Sequence, residues 1–326
     1  GGSTLGIKAF HSFSKKEIKK KIFFLDNLED SEIIRIKKKL SGRVLFVVIS
    51  KSGNTIETLS NLSNFKSLIS KKNCLIISEK SNNTLYNFAV KNNLHFIQHE
   101  KFIGGRFSIL SKTGIIILKL LGLKKIDLAN KFSNFILNKK KYKKFCLQVS
   151  EIFSFYKEKK FNTIVCLAYS SDLYNLVNWF QQLSAESLGK KGNGLTPFLS
   201  IGPKDHHSLL QLYLDGPKDK VFYIFDKKEE RNIKINNIFG KKYNFFNKRS
   251  LNDVKKAQKK ALIMELKAKK IPFREIYFKS SNQKTLFDYF IYFIMETILL
   301  AKLLGINPFG QPAVETVKIN TNKILN

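Results

Sequence analysis

Short apolar runs alternate along the chain with longer stretches in which apolar and polar residues recur at helical spacing. The apolar runs predict buried parallel strands at 44–49, 74–78, 94–98, 163–168 and 220–225. The amphipathic stretches predict helices at about 54–70, 84–92, 107–121, 171–188, 252–270 and 285–304. Such alternation is typical of an α/β fold, in which parallel sheets bind ligands at the carboxyl ends of their strands.

The alternation occurs twice, so we expect two similar α/β domains, 1–140 and 150–326, the second with C-terminal helices. A lysine-rich, mainly helical stretch at 124–160 is predicted to connect them. The polar and basic stretch 226–250 has little apolar pattern and is predicted to be irregular. With 326 residues, 43% of them hydrophobic, the chain is long and apolar enough to bury a core in each domain.

One segment, 289–306, is long and apolar, as a membrane-spanning helix would be. It contains Glu296 and Lys302, which are costly in a bilayer, so we predict a buried core helix instead. No signal peptide is visible, and Cys74 and Cys166 lie in strand-like runs without CxxC spacing. These features predict free thiols in a reducing compartment and a cytoplasmic protein that does not contact membranes.

Basic residues outnumber acidic ones, with 58 Lys and Arg against 25 Asp and Glu and a net charge of +33. Such an excess suggests nucleic acid as a partner. The lysines form short clusters along the whole chain, however, and no RNA- or DNA-binding motif accompanies them. We therefore expect weak, salt-sensitive binding of polyanions and no specific nucleic-acid partner. No metal site is predicted, because His95 and His99 lie four residues apart in a strand-like run.

A hydroxyl-rich loop, 50–55, follows the first predicted strand and precedes a helix. The N-terminus of a helix presents free N–H groups and favours negative charge, and Gly53 allows a tight turn close to a ligand. The sequence therefore predicts a phosphate site, although a plain helix cap is an alternative. Its candidate donors are the hydroxyls and one ammonium of Ser50, Lys51, Ser52 and Thr55.

Two further glycine-containing segments are candidates for the same chemistry. The segment 1–6 is predicted to be a second hydroxyl-bearing loop at the start of a helix, with Ser3 beside the glycines. In the segment 102–108, two glycines precede Arg106, and arginine is rare in this lysine-rich chain. The arginine guanidinium is planar and permanently charged, so its presence here suggests a specific contact with an anion. The alternative is a tight turn whose arginine pairs with a surface carboxylate.

Candidate acid–base groups lie in the second half. Gln182 and Glu186 are four residues apart and share one face of a predicted helix, so Glu186 is either a base or a solvated helix-end residue. His206 and His207 are predicted at the start of a helix, where only one ring can enter a given cleft; Asp205 is placed to cap that helix or to orient a ring. Gln311 and Lys318 are two helical turns apart and are expected to face one site.

The order and the amino-acid sequences of these segments resemble those of the phosphoglucose isomerase family across nearly the whole chain. The matching segments are GGSTLG at 1–6, FLDNLED at 24–30, SKSGNTIET at 50–58, GGRFS at 104–108, QLSAESLGK at 182–190, GPKDHHSLLQL at 202–212 and QPAVETVK at 311–318. GGRFS and QPAVETVK are highly specific to that family. SKSGNT alone indicates only the broader sugar-isomerase (SIS) fold.

The resemblance implies two SIS-type, doubly wound parallel-sheet α/β/α sandwich domains. It implies reversible conversion of glucose 6-phosphate and fructose 6-phosphate, a step of glycolysis and gluconeogenesis, without metal or organic cofactor. A homodimer with shared active sites is also implied, because in this family a histidine reaches the site from the neighbouring subunit. The chain begins at Gly1 inside the first glycine segment, so we expect that it lacks its natural N-terminal segment.

The resemblance also implies roles for individual residues. Glu186 would be the base that moves a proton between C2 and C1 through a cis-enediol, and Arg106 would stabilise the enediolate oxygen. His207 and Lys318 would assist ring opening. His207 is chosen over His206 because its distance to the segment 209–212 fits the family pattern, in which Gln often stands where His206 does. The phosphate and the sugar would be bound by Ser3, Ser50, Lys51, Ser52, Thr55, Gln182 and Gln311.

Other functions remain open at this point. A bifunctional phosphoglucose/phosphomannose isomerase would also accept mannose 6-phosphate. A non-catalytic SIS-domain sensor of sugar phosphates would need the loop 50–55 but not Glu186, His207 or Lys318. A polyanion-binding protein would need only the positive charge.

Overall fold

The computed structural model describes residues 2–326, which divide into two compact units between Asn130 and Lys131. The first unit contains a sheet of three parallel strands in chain order, β1 (Phe46–Ile49), β2 (Cys74–Ser78) and β3 (His95–Gln98). Because the strands are parallel and in register, the loops that follow them lie at one edge of the sheet. The helices of this unit are α1 (Gly2–Phe13), α2 (Asp30–Lys39), α3 (Ile56–Ser63), α4 (Thr84–Lys91) and α5 (Lys112–Leu121).

The core of the first unit lies between β2 and α4. Cys74 and Ile76 of β2 pack with Leu85 and Ala89 of α4, and all four are buried. Leu85 and Ala89 are one helical turn apart and so lie on one face of α4. This packing holds the start of α4 close to the carboxyl end of the sheet.

The second unit contains a sheet of four parallel strands in the order β5–β4–β6–β7. The strands are β4 (Thr163–Ala168), β5 (Thr196–Ile201), β6 (Lys220–Lys227) and β7 (Phe273–Phe278). The strand order reverses at β4, which is the pattern of a doubly wound sheet. The remaining helices are α6 (Leu128–Leu137), which spans the division between the units, and α7 (Lys139–Lys157), α8 (Tyr174–Leu188), α9 (Leu210–Asp215), α10 (Leu251–Ala268), α11 (Gln283–Leu303) and α12 (Glu315–Leu325).

Helix α11 is the long apolar helix that was predicted to be buried, and this prediction is confirmed. Phe287, Phe290 and Phe293 are fully buried, and Glu296 is 1% exposed. Glu296 accepts two hydrogen bonds from the Arg274 guanidinium, at 2.6 and 2.8 Å. Within the described residues, no helix has both the length and the apolar character that a membrane-spanning segment requires.

The five predicted strands are confirmed to within two residues at each end, but β5 and β7 were missed. Both are outermost strands with exposed side chains, so neither has the continuous apolar run of a buried parallel strand. The helix predicted at 54–70 ends at Ser63, and the helix predicted at 107–121 begins only at Lys112. A 3₁₀ segment, Gly105–Leu110, takes the place of its first turn.

Candidate functional site

The hydroxyl-rich loop 50–55 lies between β1 and α3, as predicted. Ser50 and Thr55 are brought together, with their hydroxyl oxygens 2.7 Å apart, and the Gly53 N–H donates to the Ser50 hydroxyl over 3.1 Å. Thr55 directly precedes α3, but its side chain makes no capping hydrogen bond to that helix in the part of the chain described. The Thr55 hydroxyl is thus directed to Ser50 and does not cap the helix.

The loop 50–55 is fixed by the segment that follows β2. The Glu79 N–H donates to the Lys51 carbonyl over 3.0 Å, and the Leu85 N–H donates to the Gly53 carbonyl over 3.1 Å. Gly53 has φ +69°, and a Cβ there would lie only 1.7 Å from Oδ1 of the buried Asn83. The Lys51 ammonium is 3.7 Å from a Glu79 carboxylate oxygen, a partly exposed pair of small energetic weight.

We expect Gly53→Ala to lower the free energy of unfolding more than Gly42→Ala does. Both glycines have a left-handed backbone, with φ +69° and +65°, and an alanine there costs about 1–2 kcal/mol. Only at Gly53 does the added Cβ also clash, with Asn83, because nothing lies within 4 Å of it at Gly42. Urea unfolding of the two variants measures the difference. Equal destabilisation would show that Asn83 does not hold the loop in place.

Arg106 lies in the 3₁₀ segment Gly105–Leu110 and is 3% exposed, so it is not an arginine of a surface turn. Its guanidinium carbon is 5.1 Å from the centroid of the Phe107 ring. The backbone approaches closely at Gly105, because a Cβ there would lie 2.9 Å from the backbone nitrogen of Ser3. The structure therefore brings Ser3 and the segment of Arg106 together.

The hydroxyl-bearing loop predicted at 1–6 is mostly helical. Gly1 lies outside the described residues, and α1 begins at Gly2, so Ser3 occupies the first turn of a helix rather than a loop. This part of the prediction was wrong, because a glycine pair was read as irregular chain. Gly6 instead allows α1 to pack closely on Ile109, since a Cβ there would lie 2.9 Å from the Ile109 side chain.

In the second unit, Gln182 and Glu186 lie on one face of α8, as predicted, and contact each other. The Gln182 amide nitrogen donates to Oε1 of Glu186 over 2.8 Å. The helix is anchored by Trp179 and Phe180, which are buried. Oε1 of Gln182 is buried and has no hydrogen-bond partner among the described residues. An unpaired buried acceptor beside a carboxylate is costly, and a hydroxyl donor from a ligand would satisfy it.

His206 and His207 lie in a tight turn between β5 and α9, and not at a helix start as predicted. His206 Nε2 is 2.7 Å from the Tyr169 hydroxyl. Burial lowers the pKa of the His206 ring, as does the neighbouring His207, although Asp205 acts in the opposite direction. The His206 ring is thus held by Tyr169, at the end of β4, which leaves His207 as the histidine that is open to other contacts.

Asp205 fixes this turn and neither caps α9 nor contacts a histidine ring through the hydrogen bonds described. Its carboxylate accepts from the Ile201 N–H at 2.7 Å, the Ser200 hydroxyl at 2.9 Å and the Ser208 hydroxyl at 3.0 Å. Burial by itself would raise the pKa of Asp205, but these donors lower it below its ordinary value. Asp205 therefore stays ionised at neutral pH and holds the turn together.

Gln311 and Lys318 do not belong to one continuous helix, so their seven-residue spacing does not place them on one helical face, and their sharing of one site stays a prediction. Gln311 has an extended φ of −158° and precedes a 3₁₀ turn, Pro312–Val314, whereas Lys318 lies in α12. Proline at the first position of the turn makes the break, because the residue before proline avoids helical angles. The exposed Lys318 ammonium is 2.7 Å from Oε1 of Glu315.

The predicted site residues thus form two groups. One, in the first unit, comprises Ser3, Ser50, Lys51, Ser52, Thr55 and Arg106; the other, in the second unit, comprises Gln182, Glu186, His207, Gln311 and Lys318. Sequence reasoning missed Asn83 and Tyr169. The sequence signal of Asn83 is its position directly before a predicted helix, where it is the N-cap, and that of Tyr169 is its position directly after a predicted strand. Among the described residues, no group of three or more His, Cys, Asp and Glu is arranged to hold a metal ion.

Comparison with known proteins adds a family assignment. The profile of the phosphoglucose isomerase family matches residues 1–326. The glucose-6-phosphate isomerase of Methanocaldococcus jannaschii is 31% identical over 98% of this chain and 80% of its own length. A hypothetical protein of Thermus thermophilus superposes with a TM-score of 0.87 at 27% identity, over 100% of this chain and 82% of that one. A glucose-6-phosphate isomerase of Chlamydia trachomatis has the same fold, with a TM-score of 0.80 at 18% identity, over 100% of this chain and 68% of that one.

Proposed function

The chain belongs to the phosphoglucose isomerase family, and we propose that it is the aldose–ketose isomerase that interconverts glucose 6-phosphate and fructose 6-phosphate. The observation that carries this proposal is the family match along all 326 residues. We further propose that the two compact units are the two SIS-type domains expected from the sequence.

We assign the proton transfer to Glu186. The C2 proton of an aldose is weakly acidic, so a positioned carboxylate has to be paired with stabilisation of the charge that develops on the oxygen. The bond from Gln182 orients the Glu186 carboxylate, at 2.8 Å, and the unpaired Gln182 oxygen supports a contact with a sugar hydroxyl. Arg106 would supply the fixed positive charge, because its guanidinium does not lose a proton at neutral pH.

We assign phosphate binding to the loop 50–55 together with Ser3. The 2.7 Å approach of the Ser50 and Thr55 hydroxyls supports this assignment, because two hydroxyls that face one another can both turn toward an anion. Lys51 would add a cation whose pair with Glu79 is loose, at 3.7 Å. Binding of a phosphate remote from the reacting carbons holds the sugar in place for the reaction.

We assign ring opening to His207 and Lys318, with Gln311 contacting the sugar. The hydrogen bond between His206 and Tyr169 supports the choice of His207, because the His206 ring already has a partner within its own unit. A neutral imidazole can both donate and accept a proton near pH 7, as ring opening requires. We also propose a homodimer in the cytoplasm, in which His207 serves the neighbouring subunit.

A coupled assay with fructose 6-phosphate tests the function directly. We expect turnover without added metal and no turnover of an unphosphorylated sugar at the same concentration. Mannose 6-phosphate in the same assay distinguishes a bifunctional isomerase from one restricted to the glucose and fructose esters. Binding of fructose 6-phosphate without any isomerisation would contradict the proposal and favour a sugar-phosphate sensor.

A further inference from the structure

The Lys190 side chain makes a concentrated set of contacts just beyond α8. Its ammonium donates to the main-chain carbonyls of Asn307 at 2.7 Å, Phe309 at 3.0 Å and Gly310 at 2.9 Å. A lysine ammonium has three N–H donors, so it can donate to all three carbonyls at once. Bonds from an ionised donor are stronger than those between neutral groups. The Lys190 side chain therefore binds three carbonyls within the four-residue segment 307–310.

These contacts join two parts of the second unit that both carry proposed site residues. Lys190 is four residues beyond Glu186, and the last carbonyl that it binds belongs to Gly310, directly before Gln311. Three carbonyls converge on one nitrogen only if the chain curls around it, and the left-handed φ of +69° at Gly310 allows this. The curled segment then leads through the turn Pro312–Val314 into α12, which carries Lys318.

We propose that Lys190 is a positioning residue for the reaction. It fixes the segment 307–310 to the end of α8 and so sets where Gln311 and the start of α12 lie relative to Glu186. This inference rests on the proposed function, which gives Gln311, Lys318 and Glu186 their roles. Lys190 itself need not touch the sugar. The three bonds lie at the surface of the unit, so water replaces them when the ammonium is removed, and the fold remains.

The first test is Lys190→Met, which keeps the length of the side chain and removes its donors. We expect kcat for fructose 6-phosphate to fall roughly 10- to 100-fold, since misplacement by about 1 Å costs an enzyme this much. KM should change little, because the proposed phosphate donors lie in the loop 50–55. Amide hydrogen exchange across 307–326 should become faster. The matched control is Lys218→Met. It removes an exposed ammonium that binds only one carbonyl, that of Leu214 at 2.6 Å, so kcat, KM and amide exchange should all stay unchanged.

The second test restores the ammonium chemically. In Lys190→Cys, the thiolate displaces bromide from 2-bromoethylamine, forming a carbon–sulfur bond and a side chain of lysine length. We expect recovery of both kcat and amide protection. The unsubstituted protein must be treated in parallel, because Cys146 is partly exposed.

Unchanged kcat in Lys190→Met, or a lower kcat with unchanged exchange at 307–326, would overturn the positioning role. Failure of aminoethylation to restore kcat would overturn it as well. The failure of the proposed function is a separate result: the unsubstituted protein would then be inactive. In that case the exchange measurement still decides whether Lys190 holds the segment, while its link to catalysis is refuted.

Discussion

Replacement of Glu186 by Gln is expected to lower kcat by roughly two to four orders of magnitude, which is the usual contribution of a positioned acid–base group. Gln has the shape of Glu, and its carbonyl oxygen can still accept from the Gln182 amide, so the end of α8 should keep its structure. What the variant loses is the ability to take the C2 proton. KM for fructose 6-phosphate should therefore stay within a few-fold of its original value.

Glu265→Gln is the matched control for this prediction. Glu265 is an exposed glutamate on another helix of the same unit, α10, and it belongs to neither group of site residues. Its replacement should leave kcat unchanged. If Glu186→Gln retained full turnover in a variant with an unaltered circular dichroism spectrum, Glu186 would not be the base.

Arg106→Lys is expected to lower kcat by roughly two to three orders of magnitude, comparable to the loss of one oxyanion donor in other enzymes. Lysine keeps the positive charge but replaces a planar fork of donors with a single mobile ammonium. At a residue that is 3% exposed, the surroundings are shaped for the guanidinium. An enediolate oxygen would then be left without a donor at the right position.

The melting temperature separates this effect from a purely structural one. Arg35→Lys, in the first unit, changes an exposed arginine that pairs with Glu32, and it should alter neither kcat nor Tm appreciably. For Arg106→Lys, we expect the loss in kcat per folded molecule to exceed any loss of stability. A lower Tm with normal specific activity would make Arg106 a structural residue.

Most of the fold could be predicted from the sequence where buried elements consist of an unbroken run of apolar residues. Strand β4, Thr163–Ala168, is almost wholly apolar because it lies inside the sheet, and it was located to the residue. The strands β5 and β7 are exposed at the sheet edges. In addition, β5 contains Pro197, and proline within a run argues against a strand. Strand recognition therefore failed at these two strands, in which polar residues interrupt the apolar run.

The candidate site was predictable only within segments that are contiguous in sequence. The approach of Ser50 and Thr55 follows from a separation of only five residues along the chain, whereas the contact of Gly53 with Asn83 depends on how β1 and β2 pair. The bond from Tyr169 to His206 likewise spans 37 residues and joins the end of β4 to the turn after β5. Such long-range partners are set by packing of the sheet and leave no local pattern to read.

The attachment of Lys190 to carbonyl oxygens has an evolutionary consequence. Every residue type carries a main-chain carbonyl, so the contact places no demand on the side chains at 307 and 309. The Asn307 side chain is constrained for another reason, because its Oδ1 accepts from the Phe309 N–H over 2.8 Å. The ammonium at 190 and the left-handed glycine at 310 are required by the contact itself, so purifying selection should act on these two positions.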